Sequence, residues 1–207
     1  MRLVGRFLSP FVRRVGIALE LYGIPYQHEP LAVTDDRDAI TEVSNLSRIP
    51  CLVLEEGEVL VDSHQILAEL DRIVGPERAL VPKHPDQARA YGQMIALLTG
   101  SLEKCVATVY ELGRRPKDKV WPEWAQQCRS QAVGGLGEAE RRASDALTTG
   151  GYLFGIEPTH ADVAGVLAYE MVKAIAPDEV DTERFPRLAA LAAGFGTRPE
   201  FKATLHS

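Results

Sequence analysis

The chain has 207 residues, 45% of them hydrophobic and 25% charged, the balance of a globular protein long enough for one large domain or two small ones. A net charge of −6 excludes a general nucleic-acid binder, which would carry a basic footprint, but leaves room for a local basic pocket around Arg13, Arg14 and Arg48. No segment approaches the ~20 apolar residues of a membrane helix, and residues 1–7 lack the apolar run of a signal peptide, so no membrane association and a cytoplasmic location are expected.

The first 80 residues alternate strand and helix patterns. Residues 2–7 suit a short strand. Residues 10–22 suit a helix, because Phe11, Val15, Ala18, Leu19 and Tyr22 recur at helical spacing, with Gly23 as its stop. Residues 26–31 suit a second strand, and the polar loop 34–38 leads into a short helical patch. Residues 51–54 and 59–61 form the arms of a hairpin around the tight turn 55–58, and residues 63–74 are helical, ending at Gly75-Pro76. This order predicts an α/β domain with a mixed sheet. Composition shifts near Leu80, and Val81-Pro82-Lys83-His84-Pro85 has the character of a linker. Beyond it the strand signal vanishes. Residues 86–112 carry Tyr91, Ile95, Leu98, Leu102, Val106 and Val109 in one apolar stripe. Residues 123–147 form a second helical stretch that Gly134-Gly135 could break. Residues 162–175 are apolar nearly all round, as in a buried central helix, and residues 186–195 are helical again. The second half is therefore all-helical.

Three short signals bear on chemistry, each with a plain alternative. Ser9-Pro10 starts a helix: Ser is a favoured N-cap, and Pro at the first helical position sacrifices no hydrogen bond. The same place, in the positive field of a helix N-terminus, would stabilise a thiolate if the Ser9 hydroxyl donated to sulfur. Ile49-Pro50 is either an edge-strand start or, if cis, a turn that exposes the backbone of Ile49 to an extended ligand. Asp62-Ser63 is either a helix cap or a seat for an amino-acid head group, with Ser63 and the helix N-terminus on the carboxylate and Asp62 on the ammonium. Arg48 is either a solvated surface residue or the partner of a second carboxylate.

Thr159-His160-Ala161-Asp162 has the pattern of a capping box with Asp in place of Glu, and its role is structural. Cys51, Cys105 and Cys128 are too few and too scattered for a disulfide framework, and neither they nor the five histidines have metal-ligand spacing, so no metal is expected. Cys51 suits a buried strand, and Cys105 faces either the core or a pocket.

Ser9-Pro10-Phe11-Val12-Arg13-Arg14, Arg48-Ile49-Pro50, Asp62-Ser63, the proline linker and Thr159-x-x-Asp162, in this order and spacing, resemble the glutathione transferase family over the whole chain. The resemblance implies a thioredoxin-like glutathione-binding domain over residues 1–80 and an all-helical domain over residues 86–207 that contributes the electrophile site. It further implies a cis Ile49-Pro50 bond, glutathione as cosubstrate and a homodimer. It points to bacterial-type members with Ser in the S-P-[FY] stretch, since Phe7 stands where Tyr-type members have tyrosine. On this footing Ser9 would stabilise the thiolate, and Ile49, preceding Pro50, would pair with the cysteinyl backbone. Asp62 and Ser63 would hold the γ-glutamyl head, and Arg48 would lie near the glycyl carboxylate. Phe11, Ser101, Cys105 and Tyr110 would line the electrophile site. Ser44-Asn45-Leu46-Ser47 departs from the Asn-Pro-x-Gly common before the basic residue. The expected activity is addition of the glutathione thiolate to a hydrophobic electrophile, or isomerisation through a glutathione adduct. The alternative is a non-catalytic binding or regulatory protein of the same fold.

Overall fold

The computed structural model describes residues 1–143 and 151–205. It divides into two compact units, Met1–Leu80 together with the segment from Arg198 onward, and Val81–Thr197.

The first unit is built on a four-stranded mixed sheet in the order β2-β1-β3-β4, with β1 at Arg2–Val4, β2 at Gln27–Glu29, β3 at Cys51–Val53 and β4 at Val59–Val61. β1 pairs parallel with β2 and antiparallel with β3, and β3 pairs antiparallel with β4. β1, β2 and β3 are shorter than their sequence patterns because pairing, not apolar character, sets their ends, while β4 keeps the expected bounds. Helix α1 (Pro10–Tyr22) makes the crossover between β1 and β2, as a parallel pair requires. Helix α2 is Arg37–Val43 and helix α3 is Ser63–Val74. Leu3 and Leu52 from the sheet, Val12, Val15 and Leu19 from α1, and Ile66 and Leu70 from α3 form one buried cluster. Fully burying such a side chain contributes about 1.5–3 kcal/mol, so this cluster locks α1 and α3 onto the sheet.

The second unit is helical, with α4 at Ala88–Gly113, α5 at Pro122–Arg142, α6 at His160–Ile175 and α7 at Pro186–Gly194. α6 is buried along most of its length, as its apolar sequence implies. The helix expected over 123–147 ends at Arg142, and residues 144–147 lie outside the described residues. Gly134-Gly135 does not break α5. A Cβ on Gly135 would sit 2.4 Å from Oγ of Ser101, so this glycine is there for close approach of α5 to α4. The apolar stripe of α4 also ends differently: Val109 is exposed, while Thr108 and Glu111 are buried. Both are satisfied internally, Thr108 by donating to the carbonyl of Lys104 at 2.9 Å and Glu111 by accepting from Arg115 and from the Trp121 backbone N–H, each at 2.8 Å. Asp162 accepts from the backbone N–H groups of Leu153 and Thr159 and from the Thr159 hydroxyl, all at 2.7 Å, so the capping box is formed.

The last helix, α8 (Pro199–Ala203), is not marked by the sequence pattern, which extends the helical domain to residue 207. It packs on the first unit, where Phe201 is buried and the Thr204 methyl lies against Gly16 of α1. Among the described residues no helix is long and apolar enough to cross a membrane.

Candidate active site

Ser9 takes the extended N-cap conformation (φ −74°, ψ 121°), and its carbonyl accepts from the N–H of Arg13 at 2.9 Å. Its side chain makes no capping hydrogen bond. The hydroxyl is therefore uncommitted at the positive end of a 13-residue helix, which carries about half an elementary charge. Phe7, two residues earlier, is buried and stacked on His28 with ring centroids 3.9 Å apart, so it presents no hydroxyl to the site.

Asp62 does cap its helix. One carboxylate oxygen accepts from the N–H of His64 at 2.9 Å and, at a longer 3.4 Å, from that of Gln65. Its other oxygen takes part in neither contact, and the residue is exposed. Ser63 is buried, and its Oγ accepts a hydrogen bond from Nη1 of Arg14 at 3.3 Å. An arginine only donates, so the proton of the Ser63 hydroxyl stays free to point to a further acceptor, and a buried guanidinium adds positive charge under the first turn of α3. Arg14 is 1% exposed. The sequence offers Arg14 only as part of a local basic pocket, because nothing in a linear sequence says that an arginine of an amphipathic helix turns inward beneath Ser63.

The Ile49-Pro50 peptide bond is cis. Neither the N–H nor the carbonyl of Ile49 is engaged in the backbone hydrogen bonds outside the regular elements. Ile49 is held close to β1 by Gly5, whose φ is +127° and where a Cβ would lie 2.8 Å from that of Ile49 and 2.6 Å from a methyl of Val12. Gly5 is thus a second positioning residue that pattern alone did not single out. α1 is the common neighbour: Ser9 starts it, Val12 meets the Gly5–Ile49 contact and Arg14 meets Ser63.

Arg48 is exposed and forms no ion pair among the described residues. Before it, Ser47 adopts φ 50°, so a serine takes the left-handed turn where the glycine of the common pattern would sit. Its N–H donates to the carbonyl of Ser44 at 2.8 Å and its hydroxyl contacts that of Thr41. The loop closes without the usual Pro and Gly.

Of the residues expected at the electrophile site, Phe11 is half-buried on the first turn of α1 and Tyr110 is exposed on α4. Ser101 and Cys105 have no open face: Ser101 donates to the carbonyl of Leu97 at 2.9 Å and abuts Gly135, while Cys105 is fully buried. Burial pushes the Cys105 thiol up to about 12, and burial also raises that of Cys51, so neither supplies a thiolate at neutral pH. Among the described residues no three His, Cys, Asp or Glu side chains converge as metal ligands. An open depression of about 540 Å³ near Met1, Tyr26 and Leu54 contains none of the candidate residues.

A β2-β1-β3-β4 mixed sheet with a cis-proline before β3, followed by a helical unit, defines a thioredoxin-like domain joined to an all-helical one. Residues 8–73 match the family described as glutathione S-transferase, N-terminal domain. Over these residues the chain is similar to the glutathione transferase family. It is 31% identical to YibF, an uncharacterized GST-like protein of Escherichia coli, over 55% of this chain and 56% of that protein, so it spans about half the length of that relative. It is 27% identical to maleylacetoacetate isomerase of Pseudomonas aeruginosa over 98% of this chain and 94% of that protein. Among solved structures it resembles a glutathione S-transferase of Methylobacterium radiotolerans in complex with glutathione sulfonate, with a TM-score of 0.87, 26% identity, and coverage of 99% of this chain and 94% of that one.

Proposed function

We propose that the protein is an enzyme that binds glutathione and uses its thiolate on a hydrophobic electrophile, by conjugation or by isomerisation through a transient adduct. The observation that carries this reading is the Ser9 hydroxyl, which stands at a helix N-terminus and does not cap it. In the proposed complex Ser63, backed by Arg14, and Asp62 hold the γ-glutamyl head. The backbone of Ile49 pairs with the cysteinyl residue, and Arg48 meets the glycyl carboxylate. The thiol proton leaves to solvent, Ser9 donates to the thiolate, and the sulfur attacks an electrophile that Phe11 helps to cover. The complex with glutathione sulfonate of the Methylobacterium protein and the isomerase name of the Pseudomonas relative support the two branches. The protein works in the cytoplasm as a homodimer, and light scattering that returns the monomer mass of 22.7 kDa at micromolar concentration would overturn the dimer.

Calorimetry with glutathione tests the site. Asp62→Asn combined with Ser63→Ala removes a charge and a hydroxyl but keeps an oxygen to cap α3. Each charge-assisted hydrogen bond contributes roughly 1.5–3 kcal/mol, so affinity should fall about a hundredfold or more, with circular dichroism showing that the double variant remains folded. Equal affinity in the two proteins refutes the site. Glutathione binding without turnover of any member of a panel of aryl halides, epoxides and maleyl compounds assigns the chain to non-catalytic binding instead.

A further inference from the structure

We propose that the turn between α4 and α5 is a docking surface for an acidic, apolar-bearing peptide segment of a partner protein. The chain is acidic overall, yet residues 114–124 hold Arg114, Arg115, Lys117 and Lys119 against only Asp118 and Glu123. Arg114, Lys117 and Lys119 are exposed and make no ion pair among the described residues, whereas Arg115 is paired with Glu111 at 2.8 Å. Both tryptophans of the chain are here. Trp121 is 61% exposed and stacks near Trp124, with centroids 6.4 Å apart, and the Lys104 ammonium lies 5.7 Å over the Trp124 ring. Leu112 is 58% exposed beside them in sequence.

This surface is held in shape before any ligand arrives. Glu111 is buried, and its two oxygens accept from Arg115 and from the backbone of Trp121, which staples the end of α4 to the start of α5. The 3-10 turn Lys117–Lys119 closes with the Lys119 N–H on the Pro116 carbonyl at 2.8 Å. A staple of this kind lowers the ordering cost of binding. Large exposed indole surface on a polar protein marks an interaction site, and unpaired cations around it select a partner of opposite charge. Three free cations on a single turn match a short acidic segment. They are fewer than the four to eight basic residues typical of an anionic-lipid site, and the net charge of −6 opposes a long polyanion such as nucleic acid.

The probe is a short peptide alternating glutamate with leucine and phenylalanine, titrated into the full chain. Because the two tryptophans both lie on the surface, intrinsic fluorescence reports binding there directly. The glutamate peptide should shift the emission at low salt, and its affinity should fall at least tenfold in Lys117→Glu/Lys119→Glu and on raising the salt to about 0.3 M, where screening is strong. The same peptide with glutamine for glutamate should not bind. Trp121→Phe, with Lys117 and Lys119 intact, should weaken binding, which anisotropy of a labelled peptide would show. Equal binding of the glutamine peptide, indifference to the charge reversal, no emission change, or a response only to phosphatidylserine vesicles or to duplex DNA would each overturn the proposal.

Discussion

Ser9 and Asp62 show how one residue type of position, the helix N-cap, can be put to two uses. The Asp62 carboxylate spends an oxygen on the N–H groups of His64 and Gln65. The Ser9 hydroxyl spends nothing on α1. Losing a capping hydroxyl ordinarily costs about 1 kcal/mol, so Ser9→Ala should leave the melting temperature almost unchanged. Its effect belongs to the thiol. A free thiol titrates near ~8.5, and a hydroxyl donor with a helix N-terminus should lower that by one to two units, or about 1.4–2.7 kcal/mol. Ser9→Ala should therefore slow turnover about tenfold or more at pH 7, with glutathione affinity little changed. The sign of the pH dependence follows: the donor favours the thiolate, so the deficit is greatest below the unassisted pKa and shrinks as pH rises past ~8.5. A pH–rate profile with the thiolate absorbance of bound glutathione checks this, and coincident curves for the two proteins would mean that the thiolate is stabilised elsewhere.

At the scale of elements, the fit of α5 on α4 depends on an absent side chain. Gly135→Ala adds a helix-favouring methyl, a gain of up to about 1 kcal/mol, but drives it to within 2.4 Å of the Ser101 oxygen. Overpacking of this kind costs about 1–3 kcal/mol, so the single variant should be destabilised on balance. Ser101→Ala removes that oxygen, and the Ser101 Cβ is 3.7 Å from the added methyl, an ordinary contact. The double variant should then be more stable than Gly135→Ala alone. Thermal melts of the four proteins form a double-mutant cycle, and additive effects would show that the two side chains do not meet.

Over the whole molecule, α8 is the part that chain order misplaces. It follows the helical unit in sequence but belongs with the sheet, where Phe201 is 1% exposed. Phe201→Ala should cost about 3–5 kcal/mol, measured by urea unfolding, and the loss should appear in the transition of the first unit. A loss of less than 1 kcal/mol would mean that α8 is a loosely held tail.

What the sequence determined by itself was local. The period of the apolar residues set α1, an apolar run nearly all round set α6, the cap and stop residues set the ends of α1 and α3, and the order of strands and helices set the fold class. Ser9, Ile49-Pro50 and Asp62-Ser63 were legible because helix starts and X-Pro steps carry short-range signatures. Only the tertiary structure decided which polar groups turn inward. Arg14 beneath Ser63, Glu111 across the α4–α5 turn, the approach of Gly5 to Ile49 and the burial of Ser101 against Gly135 each depend on residues from 34 to 49 positions apart, or ten in the case of Glu111 and Trp121. Burial of a polar side chain is favourable only when its partner arrives with matching geometry, and that partner is supplied by the fold, not by the neighbouring sequence.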